Sequence, residues 1–449
     1  MQNPWRRVAA DGRAAGSSWE RNKQVAEDDA KFSFGAELGV DETQVGGWLV
    51  GAFADGGVIK PGVELNGTSA LTNGIKIVDV DSHFSEKPDL WTARLPAGMK
   101  DRAPYMKREG RMDYWFIGDK LISPGGASVI DKNRDKTLGR LSIPTMEQIH
   151  PGAYDVDARL AFMDDLGIHS QICYPNGFAS SSVSLLNWVD KAFAEVLIKV
   201  YNDDRGDAQK QSGNRLLPMA LLPVWDSKAM GKEALRCVEE YDVKGFNLPD
   251  RPEQFGLPTF NEDHWAPLFE LCNDKGIPIN FHIATGGIDG FGITWKDLDF
   301  QKKLAVGSML FYIGNAATLG NFIVSGVLDR YTKLKIVSVE SGIGWIPFLL
   351  EALEYQIDEM MPDYKMDRRP MEYFRDQMFA SFWFEKVAPA KMLDLIGPDN
   401  VMFETDFPHP TALYPDPQAH LTEVLGDLDK SVVRKILQEN AQRCYNLDL

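Results

Sequence analysis

The sequence predicts a (β/α)8 barrel of the TIM type, and three observations carry that prediction. Eight short apolar runs recur along the chain, at 76–81, 170–174, 217–223, 243–248, 277–283, 335–340, 377–384 and 400–406. They are nearly continuous in apolar residues, as strands buried on both faces must be. Between most of them lie amphipathic stretches of helix length, such as Asp155–Leu166, Leu185–Asp203, Trp265–Lys275, Ile346–Met360 and Val387–Ile396. Parallel strands need crossovers of this kind. Finally, ionisable residues close three of the runs, which places them at the C-terminal strand ends, where the active sites of such barrels lie.

Taken in order, residues 1–74 form an N-terminal extension unlike the rest, rich in Gly, Ala and Asp and ending in Asn66-Gly67-Thr68-Ser69-Ala70-Leu71-Thr72-Asn73-Gly74. One or two helices are expected there (Gly47 to Phe53 is the most apolar piece), followed by a loose linker. The barrel is expected over 75–449. Strand 1 is followed by about 70 residues before the next helix, an insertion spanning 105–150. Within it, Asp113-Tyr-Trp-Phe-Ile-Gly-Asp-Lys-Leu-Ile122 alternates around Gly118-Asp119 and reads as a β-hairpin. A long loop at the catalytic face serves as a lid, a substrate wall or an oligomer contact.

Composition removes several function classes. The 449 residues are 44% hydrophobic, enough for a large core. Lys and Arg number 48 against 65 Asp and Glu, a net charge of −17, which repels phosphate backbones and argues against nucleic-acid binding. No apolar run approaches the roughly 18 residues that span a membrane. Arg6-Arg7 precede a polar, Gly-rich stretch rather than an apolar signal core, so a cytoplasmic protein is expected. Cys173, Cys237, Cys272 and Cys444 are widely spaced and read as buried free thiols. The expected partners are a small-molecule substrate and further copies of the chain in a homo-oligomer.

The chemistry gathers at strand ends. In Lys76-Ile-Val-Asp-Val-Asp-Ser-His-Phe-Ser-Glu86, Asp81 and His83 are two residues apart on one strand and project together. An imidazole beside a carboxylate suits one divalent metal. Pro278-Ile-Asn-Phe-His282 and Asn400-Val-Met-Phe-Glu-Thr-Asp406 close the same way, on strands 5 and 8. Buried ionisable groups need partners, and one shared metal would serve all three ends. Glu340 ends strand 6, Glu86 follows His83 by three residues, and His409 lies between Pro408 and Pro410. Trp383, Phe384, Tyr114 and Trp115 are candidates to wall an apolar or aromatic substrate. His150, His169, His264 and His420 are expected outside the site.

Over about residues 75–449 these motifs resemble the amidohydrolase-related family, in the branch called amidohydrolase 2. That branch includes aminocarboxymuconate-semialdehyde, resorcylate and carboxyvanillate decarboxylases. The marks are Asp-Val-Asp-Ser-His-Phe-Ser-Glu with Asp89-Leu-Trp91, Asn280-Phe-His282, Glu340-Ser-Gly-Ile-Gly-Trp345 and Thr405-Asp-Phe-Pro-His409. The resemblance implies a mononuclear divalent metal held by Asp81, His83, His282 and Asp406. It also implies a histidine at the end of strand 6 in the decarboxylases, where this chain has Glu340. With Glu86 and Glu340 added, the set becomes two histidines and four carboxylates, which suits one or two ions of zinc, manganese or iron. The leading expectation is a metal-dependent hydrolase, with Asp406 or Glu340 as general base on metal-bound water and His409 assisting. The alternatives are a non-oxidative decarboxylase of an aromatic or unsaturated acid and a dinuclear iron oxygenase. A non-enzymatic scaffold would have no reason to gather ionisable groups at one barrel face.

Overall fold

A computed structural model describes residues 58–449, apart from 66, 177–181, 284, 286–294 and 296–297. Eight parallel strands form the centre: β1 (Ile77–Phe84), β2 (Ile168–Pro175), β3 (Leu216–Pro218), β4 (Phe246–Asn247), β5 (Ile279–His282), β6 (Ile336–Val339), β7 (Met378–Phe382) and β8 (Val401–Phe403). Their order is β3-β2-β1-β8-β7-β6-β5-β4. A bridge between Ala220 and Phe246 joins the two outer strands and closes the barrel. β3 and β4 are much shorter than the apolar runs at 217–223 and 243–248, because Pro218 and Pro223 cannot donate to a ladder.

Helices cover the outside, and their ends follow capping chemistry. Val156–Leu166 starts at Asp155, whose side chain accepts from the Ala158 amide, and stops at Gly167 in the left-handed conformation. Lys191–Gln211 is capped by Asp190 in the same way. The stretch read as one helix over 185–203 is a 3-10 turn at Ser182–Asn187 followed by that later, longer helix. Val387–Ile396 is likewise two short pieces, Val387–Lys391 and Leu393–Ile396.

Two cores result. One lies between strands and helices. The other fills the barrel, where Val78, Val80, Ile172, Leu217, Met219, Val337, Val339, Phe379 and Met402 meet. Ala441, Cys444 and Tyr445 from the last helix plug its lower end, with Tyr445 donating to Asn280 Oδ1 at 2.7 Å. All four cysteines are free and buried. No helix among the described residues is long and apolar enough to cross a membrane.

The hairpin expected at 113–122 is present as Met112–Ile117 paired with Lys120–Pro124, and Tyr105–Glu109 adds a third strand. Trp115 does not wall a site: it is fully buried, edge-on to Trp91 in a satellite core with Leu197, Ile198 and Tyr201. The segment after the hairpin returns to the barrel mouth, where the Val129 amide donates to Pro408 O.

Of the extension expected over 1–74, residues 1–57, including the helix expected at 47–53, lie outside the described residues. The remainder is docked rather than loose. Val58–Lys60 pairs antiparallel with Lys136–Leu138, and the Gly67 amide donates to Asp165 O. At Gly167 (φ +71°) a Cβ would lie 1.5 Å from the Gly67 carbonyl oxygen. Gly167→Ala therefore imposes a left-handed penalty of roughly 1–2 kcal/mol and dislodges the 64–69 segment. A lower Tm and faster proteolysis within 58–74 are expected, with barrel circular dichroism retained. Unchanged proteolysis would show that the docking contributes nothing.

Candidate metal centre

The site is built by departures from regular strand geometry. Strict alternation would put Asp81 on the opposite face from Val80. A register irregularity between Asp79 and Ser82 in the β1–β2 ladder breaks the alternation. Val78 and Val80 point into the barrel, and Asp81 and His83 do so as well. Just past the ends of β6 and β8, Glu340 (φ +51°) and Asp406 (φ +58°) take left-handed backbone conformations. A residue with a Cβ occupies that region at a cost of about 1–3 kcal/mol, paid where a side chain must be re-aimed. Glu385 holds the first of these turns, accepting from the amides of Ile343 and Gly344.

These devices converge six side chains. His83 Nε2 lies 3.1 Å from His282 Nε2, 3.7 Å from Asp81 Oδ1 and 3.4 Å from Asp406 Oδ1. His282 Nε2 lies 3.6 Å from Asp81 Oδ2 and 3.3 Å from Glu340 Oε2. His409 Nδ1 is 3.0 Å from Asp406 Oδ1, and its ring stacks on His83 with centroids 3.6 Å apart. Three overlapping ligand groupings arise: Asp81-His83-His282, His83-Asp406-His409 and Asp81-Glu340-Asp406. Glu86 is in none of them. It is buried, and its charge acts on Arg205 and Tyr201 instead. Glu404, which sequence reasoning passed over, is wholly buried beneath the cluster. Its Oε2 accepts from the Glu340 amide at 3.2 Å. The signal was available: Glu404 and Asp406 are two apart, the spacing used for Asp81 and His83.

The donor set fits a divalent cation. His83 Nδ1 faces Pro175 O and His282 Nδ1 faces Ile283 O, each at 2.9 Å. A carbonyl can only accept, so both protons sit on Nδ1 and both Nε2 atoms carry lone pairs. Two lone pairs 3.1 Å apart repel unless a cation lies between them. Neither oxygen of Asp81 receives a hydrogen bond, nor does Glu404 Oε1. Ligand atoms about 2.1 Å from one ion are themselves roughly 3.0–3.4 Å apart, close to the spacings here.

Electrostatics follow from burial. It holds His83 down to about 4, assisted by the charge of His409, and His282 down to about 3, assisted by His83. Burial raises Asp81 well above the carboxylate range, reinforced by Glu404, Asp406 and Glu340. Glu340 and Glu404 are raised for the same reason. Asp406 is the exception: burial pushes it up, but His409 and His83 outweigh that and hold it low.

A closed parallel barrel with histidines and carboxylates able to hold a metal ion at its C-terminal mouth is an architecture that suits metal-dependent enzymes. A family model described as Amidohydrolase matches residues 147–447, two thirds of the chain, which therefore belongs to the amidohydrolase family. Solved structures share the fold. An amidohydrolase from Mycobacterium avium subsp. paratuberculosis K-10 is 20% identical with a TM-score of 0.64, over 83% of this chain and 99% of that one. The 5-carboxyvanillate decarboxylase of Sphingomonas paucimobilis is 18% identical, TM-score 0.58, over 84% and 100%. That of Novosphingobium aromaticivorans DSM 12444, complexed with manganese and 4-hydroxy-3-methoxy-5-nitrobenzoic acid, is 17% identical, TM-score 0.60, over 85% and 99%.

The pKa directions predict how a metal is taken up. At pH 7 the two imidazoles are already neutral and release nothing, whereas carboxyl groups held above their ordinary range give up protons as the ion enters. Binding of Mn2+ near pH 7 should release about one proton or more per ion and weaken as pH falls. Titration calorimetry in buffers of different ionisation enthalpy measures this, and zero release would contradict it. His282→Ala should lose metal while retaining its fold.

Proposed function

We propose that the protein is a metal-dependent carboxy-lyase that removes CO2 from a small aromatic or unsaturated carboxylic acid. The facing lone pairs of His83 and His282 beside the unpartnered Asp81 carboxylate carry the metal part of this reading. Asp81, His83, His282 and Asp406 would hold the ion. The fold it shares with carboxyvanillate decarboxylases, one of them complexed with manganese, supports decarboxylation over the hydrolysis expected first.

A bound divalent ion would orient the substrate carboxylate and offset its charge. The chain supplies the rest. When the C–C bond breaks, its electron pair stays on the substrate carbon and CO2 departs, so a proton must arrive there. The imidazole that related decarboxylases place at the end of strand 6 is replaced by Glu340. His409, stacked on His83 and a fifth exposed, offers one from the β8 side of the mouth. His409 Nδ1, 3.0 Å from Asp406 Oδ1, would be the donor, while Asn176 Oδ1 fixes the ring by accepting from Nε2 at 2.8 Å. Tyr312 and Phe384, with centroids 5.5 Å apart over the buried Trp383, give the mouth an aromatic side that suits a planar substrate. Trp383 reaches the cluster through Thr411, to whose carbonyl its indole donates.

One observation favours a second reading. Asp81, Glu340, Glu404 and Asp406 are more carboxylates than one ion needs, and the grouping Asp81-Glu340-Asp406 is a position for a second ion. With two ions the site would suit activated water, hence hydrolysis, or dioxygen.

Metal-loaded protein, incubated in D2O with a panel of hydroxybenzoates and unsaturated acids, should release CO2 and place deuterium on the carbon that lost it. His409→Asn should keep the metal and lose both. Turnover of esters or lactones without CO2 release would sink the lyase reading. Glu340→Gln separates the metal counts. With one ion the metal content holds. With two it falls from about two to about one per chain.

A further inference from the structure

Behind the metal-facing side of β1 and β8 runs a second, wholly buried chain of polar groups. We infer that Asp79, with Thr405, Gln171 and Arg159, is a positioning network that sets the geometry and affinity of the metal centre. The inference rests on the metal reading above and concerns residues on the opposite face of the wall from the ligands.

Asp79 is fully buried and points away from the barrel interior. Its Oδ1 accepts from the amides of Thr405 at 2.8 Å and Asp81 at 3.2 Å. Its Oδ2 accepts from the Thr405 hydroxyl and from Gln171 Nε2, the latter at 2.8 Å. Gln171 Oε1 in turn accepts from Arg159 Nη1 at 2.8 Å. The guanidinium, 0% exposed, also donates to the carbonyls of His83 and Gly152, and its plane lies 4.5 Å over the Phe407 ring.

Three of the contacts land on the backbone of a residue at or next to a proposed ligand: the amides of Asp81 and Thr405 and the carbonyl of His83. The Asp81 amide is the pivot of the irregularity that turns Asp81 inward. Thr405 precedes Asp406, whose left-handed φ aims its carboxylate. His83 is held through its own carbonyl. One carboxylate thus ties the β1 bulge to the β8 turn, two features that cost conformational energy. In this network Arg159 and Asp79 are opposite charges joined through one amide, which offsets the burial of each. Its work is backbone placement, in a site where ligand atoms must lie within a few tenths of an ångström of the metal's preferred distances.

The test uses the full-length protein stripped of metal and titrated with Mn2+, followed by electron paramagnetic resonance, with Tm measured in parallel. Thr405→Val keeps the shape and removes one donor to Asp79. Thr405→Ser restores it. Asp79→Asn removes the charge. Thr405→Val and Asp79→Asn should weaken Mn2+ affinity roughly tenfold to hundredfold and alter the spectrum of the saturated site, and Thr405→Ser should return both toward wild type. If Asp79→Asn does not fold, the Val/Ser pair decides. Wild-type affinity and spectrum in Thr405→Val, or a loss of Tm with affinity and spectrum unmoved, overturns the inference and leaves the metal reading standing. Wild-type protein that binds no Mn2+ overturns both.

Discussion

The rest of the molecule is organised around one electrostatic constraint. Four carboxylates and two imidazoles with facing lone pairs occupy the same end of a barrel, away from water. Two like charges about 4 Å apart repel by about 4 kcal/mol at the effective dielectric of a protein, and more where water is excluded. No lysine or arginine enters the cluster among the described residues. Lys136 comes nearest, its charge reaching Asp406 while its ammonium donates to Ala412 O. Two outcomes satisfy the site: protons retained on Asp81, Glu340 and Glu404, or a cation bound among them. The first would describe the protein without metal, and the second the proposed metal-bound enzyme. Exchange between them makes metal binding a proton-releasing step.

The same constraint accounts for where the backbone is irregular. A regular β1 would send Asp81 to the outer face, away from the cluster. A regular exit from β6 or β8 would carry Glu340 and Asp406 past the axis. Each correction costs about 1–3 kcal/mol, and each has a local support. Glu385 grips the 342–344 turn through backbone amides, and Asp79 grips both the bulge and the turn before Asp406. The supports lie outside the site, where a charge can be paired without competing for the metal.

Much of this was legible in the sequence, for identifiable reasons. Parallel strands buried on both faces are near-continuous apolar runs, so all eight were found. Of the helices, Ile346–Met360 has the bounds read from its apolar spacing, whereas the longest, Lys191–Gln211, was displaced because its Asp190 cap lies inside the stretch read as helix. Asp81, His83, His282 and Asp406 were visible because an ionisable residue at the end of an apolar strand is anomalous. Glu86 misled because sequence distance from a strand end says nothing of direction. It turns toward Arg205 rather than the mouth. Glu404 was missed because attention stopped at the last acid of the run. Asp79 sits one face out of phase with the ligands, and its partners Thr405, Gln171 and Arg159 come from three other elements. Nothing in linear order joins them.

Glu340 is where the fold and the chemistry pull hardest against each other. An ionised carboxylate there would repel an anionic substrate and argue against a lyase with one ion. The hydrogen bonds indicate its state. Thr411 Oγ1 lies within hydrogen-bonding distance of both Glu340 Oε1, at 3.1 Å, and Asp406 Oδ2, the closer of the two. A hydroxyl has one proton and can donate to only one of them. Given to Asp406, beside His409, it leaves the Thr411 oxygen free to accept, and a protonated Glu340 is one donor that fits there. Burial and the neighbouring carboxylates push Glu340 in that same direction. A neutral Glu340 can donate a hydrogen bond to a substrate carboxylate where an ionised one would repel it. On the proposed one-ion reading, a carboxylic acid at this strand end would still supply a donor where an imidazole would, rather than invert a charge. A second cation would strip that proton and make the same residue a ligand, so on the proposed readings the number of ions would decide whether Glu340 meets substrate or metal.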